Sequence, residues 1–308
     1  MTHGPQSITF ASSCSGERQQ PCGRSGRYRA GSGLGGPRVV LHGLRGYRVG
    51  SLPSRTLHHP LEDLGQKYGD QVRTAPLDVA DEKAATTAVQ VAVEAFGRLD
   101  VVVNNAGYGD IAPFEQLSTE RFKALIDTNF YGVVNVTRAA IPIMRKQKSG
   151  CILQISSVGG RLARPGSTAY HAAKWAVGGF TESLAQELAP FGVKVCALEP
   201  GGMRTNWGAR ANQDTPELLP DYEPSVGAVA KALKSYWRHE TSDPSKVARV
   251  VLRLAASDSL PAHLLLGSDA VQFAGEADAT RAKDAERWRE VSVSTDVNSA
   301  HSLPALRF

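Results

Sequence analysis

The stretch Leu99–Gly107, LDVVVNNAG, decides the fold that we predict for this chain. Its first part, Leu99–Val103, is apolar enough to predict a short β-strand, and the amides and glycine that follow predict a turn at the carboxyl end of that strand. A short strand that is apolar along its length is typical of a parallel sheet with helices packed on both of its faces.

Helical patterns flank this strand. Before it, apolar residues recur at helical spacing, namely Ala85, Val89, Ala92 and Phe96. Gly97 follows them as a typical helix stop. After the strand, Ser118 is a predicted N-cap, with Glu120 in the first turn, for a helix that continues to Met144.

Strands and helices alternate along the rest of the chain. Apolar strands are predicted at Gly150–Ser157, Val193–Leu198 and His263–Val271, and a helix is predicted from Ser167 to Gly192. We therefore expect a single α/β domain with a doubly wound, Rossmann-like parallel sheet flanked by helices. Ligands of such folds bind at the carboxyl ends of the strands, so the candidate residues follow the strands at 104–107, 156–157 and 200–201.

Tyr170 and Lys174 lie four residues apart on a predicted helix, so their side chains share one face. An ammonium near a phenol favours the phenolate, and we expect Lys174 to lower the pKa of Tyr170. A tyrosine tuned in this way can donate or accept a proton near neutral pH. The pair by itself leaves an alternative open, which is a surface tyrosine beside a solvated lysine.

Two other polar residues supply a context for this pair. Ser157 ends a predicted strand thirteen residues before Tyr170, which places its hydroxyl at the carboxyl edge of the sheet. Asn129 lies in a largely apolar helical stretch, where a polar side chain needs a partner. A turn cap at Ser157 and a satisfied structural amide at Asn129 are the alternatives.

The order and spacing of the motifs match a known family. The motifs are Leu77–Val79 (LDV), Asn104–Gly107 (NNAG), Asn129, Ser157, Tyr170-x-x-x-Lys174 and Pro200–Thr205 (PGGMRT). As a set they resemble the short-chain dehydrogenases/reductases over about residues 60–275. The resemblance implies an oxidoreductase that interconverts a carbonyl and an alcohol by hydride transfer, with NADP or NAD as cofactor.

The resemblance also implies catalytic roles. Tyr170 would be the general acid in carbonyl reduction and the general base in alcohol oxidation. Ser157 would polarise the substrate oxygen. Lys174 would bind the nicotinamide ribose and lower the tyrosine pKa, and Asn129 would hold a water in the proton relay.

Further residues would contact the cofactor. By resemblance, the adenine contacts are Asp78 and Val79, the cleft is lined by Asn105, Ala106 and Gly107, and the nicotinamide end is held by Tyr170, Lys174, Pro200, Gly201 and Thr205. The choice between NAD and NADP depends on the residue after the second strand. If Arg38–Leu44 is that strand, Arg45 follows it, which favours NADP.

The glycine loop that the resemblance requires near the N-terminus is incomplete. Family members carry Thr-Gly-x-x-x-Gly-x-Gly after the first strand, where the glycines let the backbone approach the pyrophosphate. In TFASSCSG, Thr9 and Gly16 match and are expected to bind cofactor, whereas Phe10 and Cys14 replace two of the glycines. A second glycine-rich stretch, Gly31–Gly36, is followed by a proline where the motif needs a helix.

Residues 1–60 are therefore expected to form a degenerate, partly disordered N-terminal part of the fold, since Gly, Arg, Pro and Ser dominate 17–59. One hypothesis is that residues from about 10 to about 57 come from an out-of-frame reading of the gene, which resequencing the DNA tests. This segment leaves a second function open, that of a cofactor-deficient, non-catalytic relic or binding protein with the same fold.

The net charge of +5 does not point to nucleic acid. Eight arginines and no acid lie in 18–59, which leaves −3 for the rest of the chain. No apolar run long enough to span a membrane and no secretory signal is visible. The four cysteines lack metal-ligand spacing, so no metal is expected, and Cys151 and Cys196 are expected in the core. We expect a cytoplasmic protein and, from the resemblance, a homo-oligomer.

The core of the enzyme is expected to span 61–275, with a tail over 276–308 and a variable substrate loop at about 206–245. The loop contains four large aromatic residues, Trp207, Tyr222, Tyr236 and Trp237. They either favour an apolar or ring-containing substrate or pack the loop against the core, and the residues alone do not decide between these alternatives.

Overall fold

The computed structural model describes residues 6–12, 38–41, 69–205, 207, 211 and 216–297. In these residues one sheet contains seven strands, which are β1 (Gln6–Ser12), β2 (Arg38–Leu41), β3 (Val72–Leu77), β4 (Val101–Asn104), β5 (Gly150–Ile155), β6 (Val193–Pro200) and β7 (His263–Leu266). The main helices are α1 (Glu82–Phe96), α2 (Thr119–Ile126), α3 (Gly132–Gln147), α4 (Thr168–Leu188), α5 (Ala228–Tyr236), α6 (Pro244–Ala255), α7 (Ser268–Arg287) and α8 (Arg289–Val293).

The strand order is β3-β1-β2-β4-β5-β6-β7, and the four pairs from β2 to β7 are parallel. This confirms the predicted parallel sheet flanked by helices. The exception is β1, which pairs antiparallel with both β2 and β3. Antiparallel ladders on both sides of β1 engage its backbone groups within the sheet. Thr9 therefore lies inside a strand, opposite Leu41 and Thr74, and not in the loop in which we expected it to bind cofactor.

Over the residues that the structure describes, the core consists of two apolar clusters, one on each face of the sheet. In β5, Ile152 belongs to the cluster under α1, α3 and α4, whereas Cys151 and Leu153 belong to the cluster under α6. This alternation follows from the two-residue period of a strand. Cys151 and Cys196 are buried free thiols, as predicted. Complete burial of a side chain such as Ile152 contributes about 1.5–3 kcal/mol.

The ends of the helices follow local sequence signals. Ser118 Oγ accepts a hydrogen bond from the Arg121 amide, and Gly97 ends α1 in a left-handed conformation with φ 74°, as predicted. The long helix that we predicted through Met144 is interrupted by a π-helical turn, Asp127–Tyr131. The turn is closed by a hydrogen bond from the Gly132 amide to the Asp127 carbonyl. A single π-turn inserted in this way often marks a functional site.

The last strand is shorter than predicted. It ends at Leu266 because Gly267 adopts φ 105°, and α7 begins at Ser268. The predicted strand His263–Val271 is thus wrong in its second half, and the boundary that we expected after 275 falls inside α7. Gly16 and Gly31–Gly36 lie outside the described residues. Across the described parts of the chain, no helix is both long and apolar enough to cross a membrane.

Candidate active site

The polar residues that follow β5 and begin α4 meet at the carboxyl edge of the sheet. Ser157 has an extended backbone, and its Oγ accepts a hydrogen bond from the Gly159 amide at 3.0 Å. Tyr170, in the first turn of α4, lies beside this loop, with its ring close to Gly159. Because the Gly159 amide donates to Ser157 Oγ, the serine O–H is oriented away from the loop and can donate to an oxygen.

Lys174 lies one helical turn after Tyr170 and is buried, with 4% of its surface exposed. Its Nζ donates to the Ile155 carbonyl at 2.8 Å and lies 5.8 Å from the centroid of the Tyr170 ring. Burial lowers the pKa of Lys174 to about 8. The ammonium is thus held between the end of β5 and the tyrosine, on the face of α4 that the sequence predicted.

The pKa of Tyr170 departs from our expectation. Burial raises the pKa of Tyr170, and the hydrogen bond from Ser157 lowers it by a smaller amount. We expected the neighbouring ammonium of Lys174 to lower this pKa. Desolvation of the phenolate outweighs the hydrogen bond, because a buried tyrosine loses the water that would stabilise its ionised form.

Asn129 is fully buried in the π-turn and every group of its amide is used. Its Nδ2 donates to the carbonyls of Tyr108 and Leu125, both at 2.9 Å, and its Oδ1 accepts from the Tyr108 amide at 3.2 Å. These bonds fasten α2 to the segment that follows β4. The structural amide that we considered as an alternative is therefore present, and it lies beside the candidate site.

Gly107 brings these groups together. A β-carbon at this position would lie 2.6 Å from Asn129 Oδ1 and 3.6 Å from Lys174 Nζ. The backbone at Gly107 therefore approaches Asn129 more closely than a side chain would allow, and it lies in ordinary contact distance of Lys174. Asn129, Ser157, Tyr170 and Lys174, which the sequence places in separate elements, thus adjoin one another at a single edge of the sheet.

The NNAG segment is held in place by a buried network of hydrogen bonds that we did not predict from the sequence. Asn104 Nδ2 donates to Thr137 Oγ1 at 3.0 Å and to Gln154 Oε1 at 2.7 Å, and Gln154 Nε2 donates to the same threonine at 3.1 Å. All three side chains are buried. A buried glutamine in the middle of an apolar strand was the available signal, since such a group needs a partner.

The residues after β3 lie beside α3. Asp78 Oδ1 accepts a hydrogen bond from the Ala80 amide at 3.0 Å. Val79 is buried against the start of α3, and its carbonyl accepts from Asn135 Nδ2 at 2.9 Å. Asp78 thus has an ordered turn conformation, while the Val79 side chain is a core residue.

The four aromatic residues of the predicted substrate loop have different surroundings. The Trp207 ring lies 5.4 Å from that of Tyr170 and against Gly109. Tyr236 Oη bonds to Thr241 Oγ1 and Asp269. Hydrogen bonding to Glu115 raises the pKa of Tyr222, and the Arg238 guanidinium lies over the ring of Trp237 at 4.8 Å. Of the four, Trp207 is the one that contacts Tyr170.

Two further residues at the site were missed. His171 is held between the Gly159 carbonyl (Nδ1, 2.8 Å) and the Arg164 amide (Nε2, 3.1 Å), and burial lowers its pKa. Asp269 accepts a hydrogen bond from the Gly202 amide at 2.7 Å. It follows the last residue of β7 by three positions. An inspection of the residues after each predicted strand would have identified it if the last strand had been predicted to end before Gly267.

The described part of the cleft fits a nicotinamide dinucleotide. Gly107 leaves backbone accessible beside Lys174, whose Nζ can donate to a ribose hydroxyl in addition to the Ile155 carbonyl. Asn105 and Gly107 are partly exposed, and Ala106 is buried. These residues suit the nicotinamide half of such a cofactor, whereas the candidate pyrophosphate loops lie outside the described residues.

Comparisons with known proteins agree with this geometry. Residues 30–216 match the family model of the short chain dehydrogenases. Oxidoreductase BOA17 of Botryotinia fuckeliana is 45% identical over 236 residues, which are 76% of this chain and 86% of that protein. The crystal structure of a short-chain dehydrogenase from Streptomyces avermitilis has 35% identity and a TM-score of 0.69, covering 77% of this chain and 86% of that one.

Two more distant structures contain a cofactor. One is an NAD+-bound xylitol dehydrogenase (26% identity, TM-score 0.54, covering 63% of this chain and 77% of that chain). The other is a gluconate 5-dehydrogenase from Burkholderia cenocepacia in complex with NADP and tartrate (26% identity, TM-score 0.53, covering 64% and 74%). With its parallel sheet, its family match and these relatives, the chain belongs to the short-chain dehydrogenases, a family of NAD(P)-dependent oxidoreductases.

Proposed function

We propose that this protein interconverts a carbonyl and an alcohol, with Tyr170 as the group that transfers the proton. The observation that carries the proposal is the position of the Lys174 ammonium, 5.8 Å from the centroid of the Tyr170 ring, with Ser157 bonded to the Gly159 amide beside that ring. An oxygen that accepts from both hydroxyls would lie at the carboxyl edge of the sheet, where substrates of this fold class bind. A bound nicotinamide dinucleotide supplies the hydride donor or acceptor.

The raised pKa of Tyr170 determines its protonation state before substrate binds. At neutral pH the phenol keeps its proton, so in the reductive direction Tyr170 can donate that proton to the carbonyl oxygen. In the oxidative direction the phenolate must form first. A positive charge near the tyrosine oxygen favours the phenolate and so promotes this step. In the free protein at neutral pH, Tyr170 is therefore in the protonated form that reduction requires.

The other residues orient and support this transfer. The Ser157 hydroxyl donates to the substrate oxygen and so stabilises negative charge that develops there. Lys174 holds a ribose hydroxyl in place, and Asn129 fixes the backbone at Tyr108 beside it. We propose Asp78 and the main chain of Val79, whose side chain is buried in the core, as adenine contacts. Asn105, Ala106, Gly107, Pro200, Gly201 and Thr205 would line the cofactor cleft.

The cofactor is NAD or NADP. Related structures contain one or the other. Arg45 after the predicted second strand favours NADP, since a guanidinium can bind the 2′-phosphate. We also propose a homo-oligomer built on the helices around Asn129 and Tyr170, where Tyr131 and Trp175 present exposed rings.

We expect millimolar NADP or NAD to raise the melting temperature of the protein. A ligand that binds only the folded state at 100 times its Kd adds about 2.7 kcal/mol to the free energy of unfolding. Thermal unfolding followed by circular dichroism, with adenosine as a control ligand, measures this shift. If folded protein shows no shift with either dinucleotide, the chain is the cofactor-deficient relic or binding protein and the proposed reaction is rejected.

We propose an apolar, ring-containing substrate, because the Trp207 ring lies against Tyr170 at 5.4 Å. Trp207→Ala is expected to lower kcat/KM about tenfold or more for ring-bearing ketones relative to short acyclic ketones, since an aromatic wall of the site is lost. The matched control is Trp237→Ala, in which a ring that faces Arg238 is removed from the same loop. An equal effect of Trp207→Ala on both substrate classes would contradict the assignment.

A further inference from the structure

The turn that follows β6 is held by two side chains from distant parts of the chain. Asp269, in the first turn of α7, accepts a hydrogen bond from the Gly202 amide at 2.7 Å through Oδ2. The same oxygen accepts from the Tyr236 hydroxyl at 3.2 Å, at the end of α5. Among the described residues, Asp269 Oδ1 has no hydrogen-bond partner, so the carboxylate acts through Oδ2 alone.

The two glycines of this turn make room for those two side chains. A β-carbon on Gly201 would overlap the Asp269 carboxylate, and a β-carbon on Gly202 would lie 2.5 Å from the Tyr236 ring. Each glycine of the PGG motif therefore faces one of the two partners at a distance that no side chain would permit. The fit indicates that Asp269 and Tyr236 are built into the turn and do not merely lie near it.

Backbone pairing extends this connection along the chain. The Ser242 amide donates to the Gly202 carbonyl at 2.9 Å, and the Arg204 amide donates to the Ser242 carbonyl at 3.0 Å. Tyr236 Oη also contacts Thr241 Oγ1 at 3.0 Å. The segment 201–204 is thus fastened on one side to α7 and on the other side to the end of the predicted substrate loop.

The fastened segment leads directly to the candidate site. Thr205 Oγ1 accepts a hydrogen bond from the Trp207 amide at 3.2 Å, and the Trp207 ring lies against Tyr170. A displacement of Gly202 would therefore move Thr205 and Trp207 together. Asp269 holds this segment at Gly202, and in the hydrogen bonds described above it contacts neither Ser157 nor Lys174.

We propose that Asp269 is a positioning residue, which couples the cofactor-facing turn at Gly201–Gly202 to the substrate loop through Tyr236. The proposal rests on the proposed function, because it assigns Asp269 a part in placing Thr205 and Trp207 for that reaction. An ionised acceptor suits this role, since hydrogen bonds to charged groups are stronger than neutral ones and the N-terminus of α7 favours a negative charge.

The test combines four variants. Asp269→Ala is expected to raise the KM for the cofactor about tenfold or more, while kcat changes less than about threefold, because a charge-assisted hydrogen bond to the turn is lost and the proton-transfer groups are untouched. Asp269→Asn keeps an acceptor and is expected to restore most of the affinity. Tyr236→Phe should raise the KM for the cofactor as Asp269→Ala does. The double variant Asp269→Ala/Tyr236→Phe should have a KM no higher than that of Asp269→Ala, because the two residues act through one network.

The control is Glu276→Gln, a charge removal on the exposed side of the same helix, which is expected to leave KM and kcat unchanged. Additive losses in the double variant, or a loss in kcat at constant KM, would overturn the proposal. If Asp269→Ala does not fold, the asparagine and phenylalanine variants still decide the outcome.

A second readout is independent of turnover. Amide hydrogen exchange of 202–204, measured on protein without added cofactor, is expected to accelerate at least tenfold in Asp269→Ala, while exchange in β5 stays slow. Unchanged exchange would overturn the positioning role even in an active enzyme. If exchange is faster in Asp269→Ala but the chain binds no cofactor, the positioning role of Asp269 is supported. In that case only the proposed reaction is rejected.

Discussion

Tyr170→Phe is expected to lower kcat for ketone reduction by about 10²–10⁴-fold, the range contributed by a positioned general acid. The substitution removes one oxygen and keeps the ring, which packs against Trp207 at 5.4 Å. The fold and the cofactor site should therefore persist. The loss is expected in kcat, because the missing hydroxyl acts when charge develops on the substrate oxygen.

The measurement is a screen of ketones and secondary alcohols that follows nicotinamide absorbance. The matched control is Tyr131→Phe, which removes the hydroxyl of an exposed tyrosine in the π-turn. The control should retain full activity, and both variants should keep the melting-temperature increase with cofactor. Turnover that survives in Tyr170→Phe would refute the proposed proton transfer, whatever the substrate.

Lys174→Met is expected to abolish most activity and yet stabilise the folded protein at pH 7. Lys174 is buried, and burial lowers its pKa to about 8. The pKa of a lysine in the unfolded chain is about 10.4. The difference between the two pKa values corresponds to about 3 kcal/mol of unfavourable free energy for keeping the charged form inside the folded protein. Loss of the hydrogen bond to Ile155 costs about 1 kcal/mol or more, so we expect a net gain of about 1–2 kcal/mol.

The difference in free energy of unfolding between Lys174→Met and the wild-type protein should change sign with pH. Below pH 8 the lysine is charged in both states, and its burial cost is fully present. Between about pH 8 and 10.4 the unfolded chain binds more protons than the folded chain, so the stability of the wild-type protein rises with pH relative to the variant. Above pH 10.4 only the lost hydrogen bond remains, and Lys174→Met should be the less stable protein.

Urea unfolding of both proteins from pH 6 to pH 11 measures this difference, in which all other titrating groups cancel. Lys231→Met is the control, because Lys231 is exposed and paired with Glu223 on the surface. A surface pair contributes little, so this variant should show no comparable crossover. A Lys174→Met protein that is less stable than wild type at every pH would contradict the inferred burial cost.

Much of the fold can be predicted from short segments. Ser118 and Gly97 mark helix ends through hydrogen bonds and backbone conformations that involve only their nearest neighbours. The apolar runs of β4, β5 and β6 predict a buried parallel sheet because both faces of each strand are covered. Tyr170 and Lys174 share a helix face for the same local reason, namely the pitch of the helix.

Other features depend on groups that are distant in sequence. The antiparallel orientation of β1 depends on pairing with β2 and β3, and no pattern within Gln6–Ser12 specifies its partner. The burial of the Asn129 amide depends on the backbone of Tyr108, 21 positions away, which its Nδ2 and Oδ1 both bind. Asp269 meets Gly202 across 67 positions of the chain.

Local periodicity and capping were therefore sufficient to predict the class of fold, because they depend on spacing along the chain, whereas the resemblance of the motifs to the short-chain dehydrogenases/reductases implied the set of candidate catalytic residues. The electrostatics of the site required the tertiary structure. Spacing brings Lys174 within reach of Tyr170 and predicts a lowered pKa for the tyrosine, whereas the folded protein raises that pKa. The reason is desolvation, since the loss of water around a side chain depends on every element packed over it and cannot be derived from its neighbours in sequence.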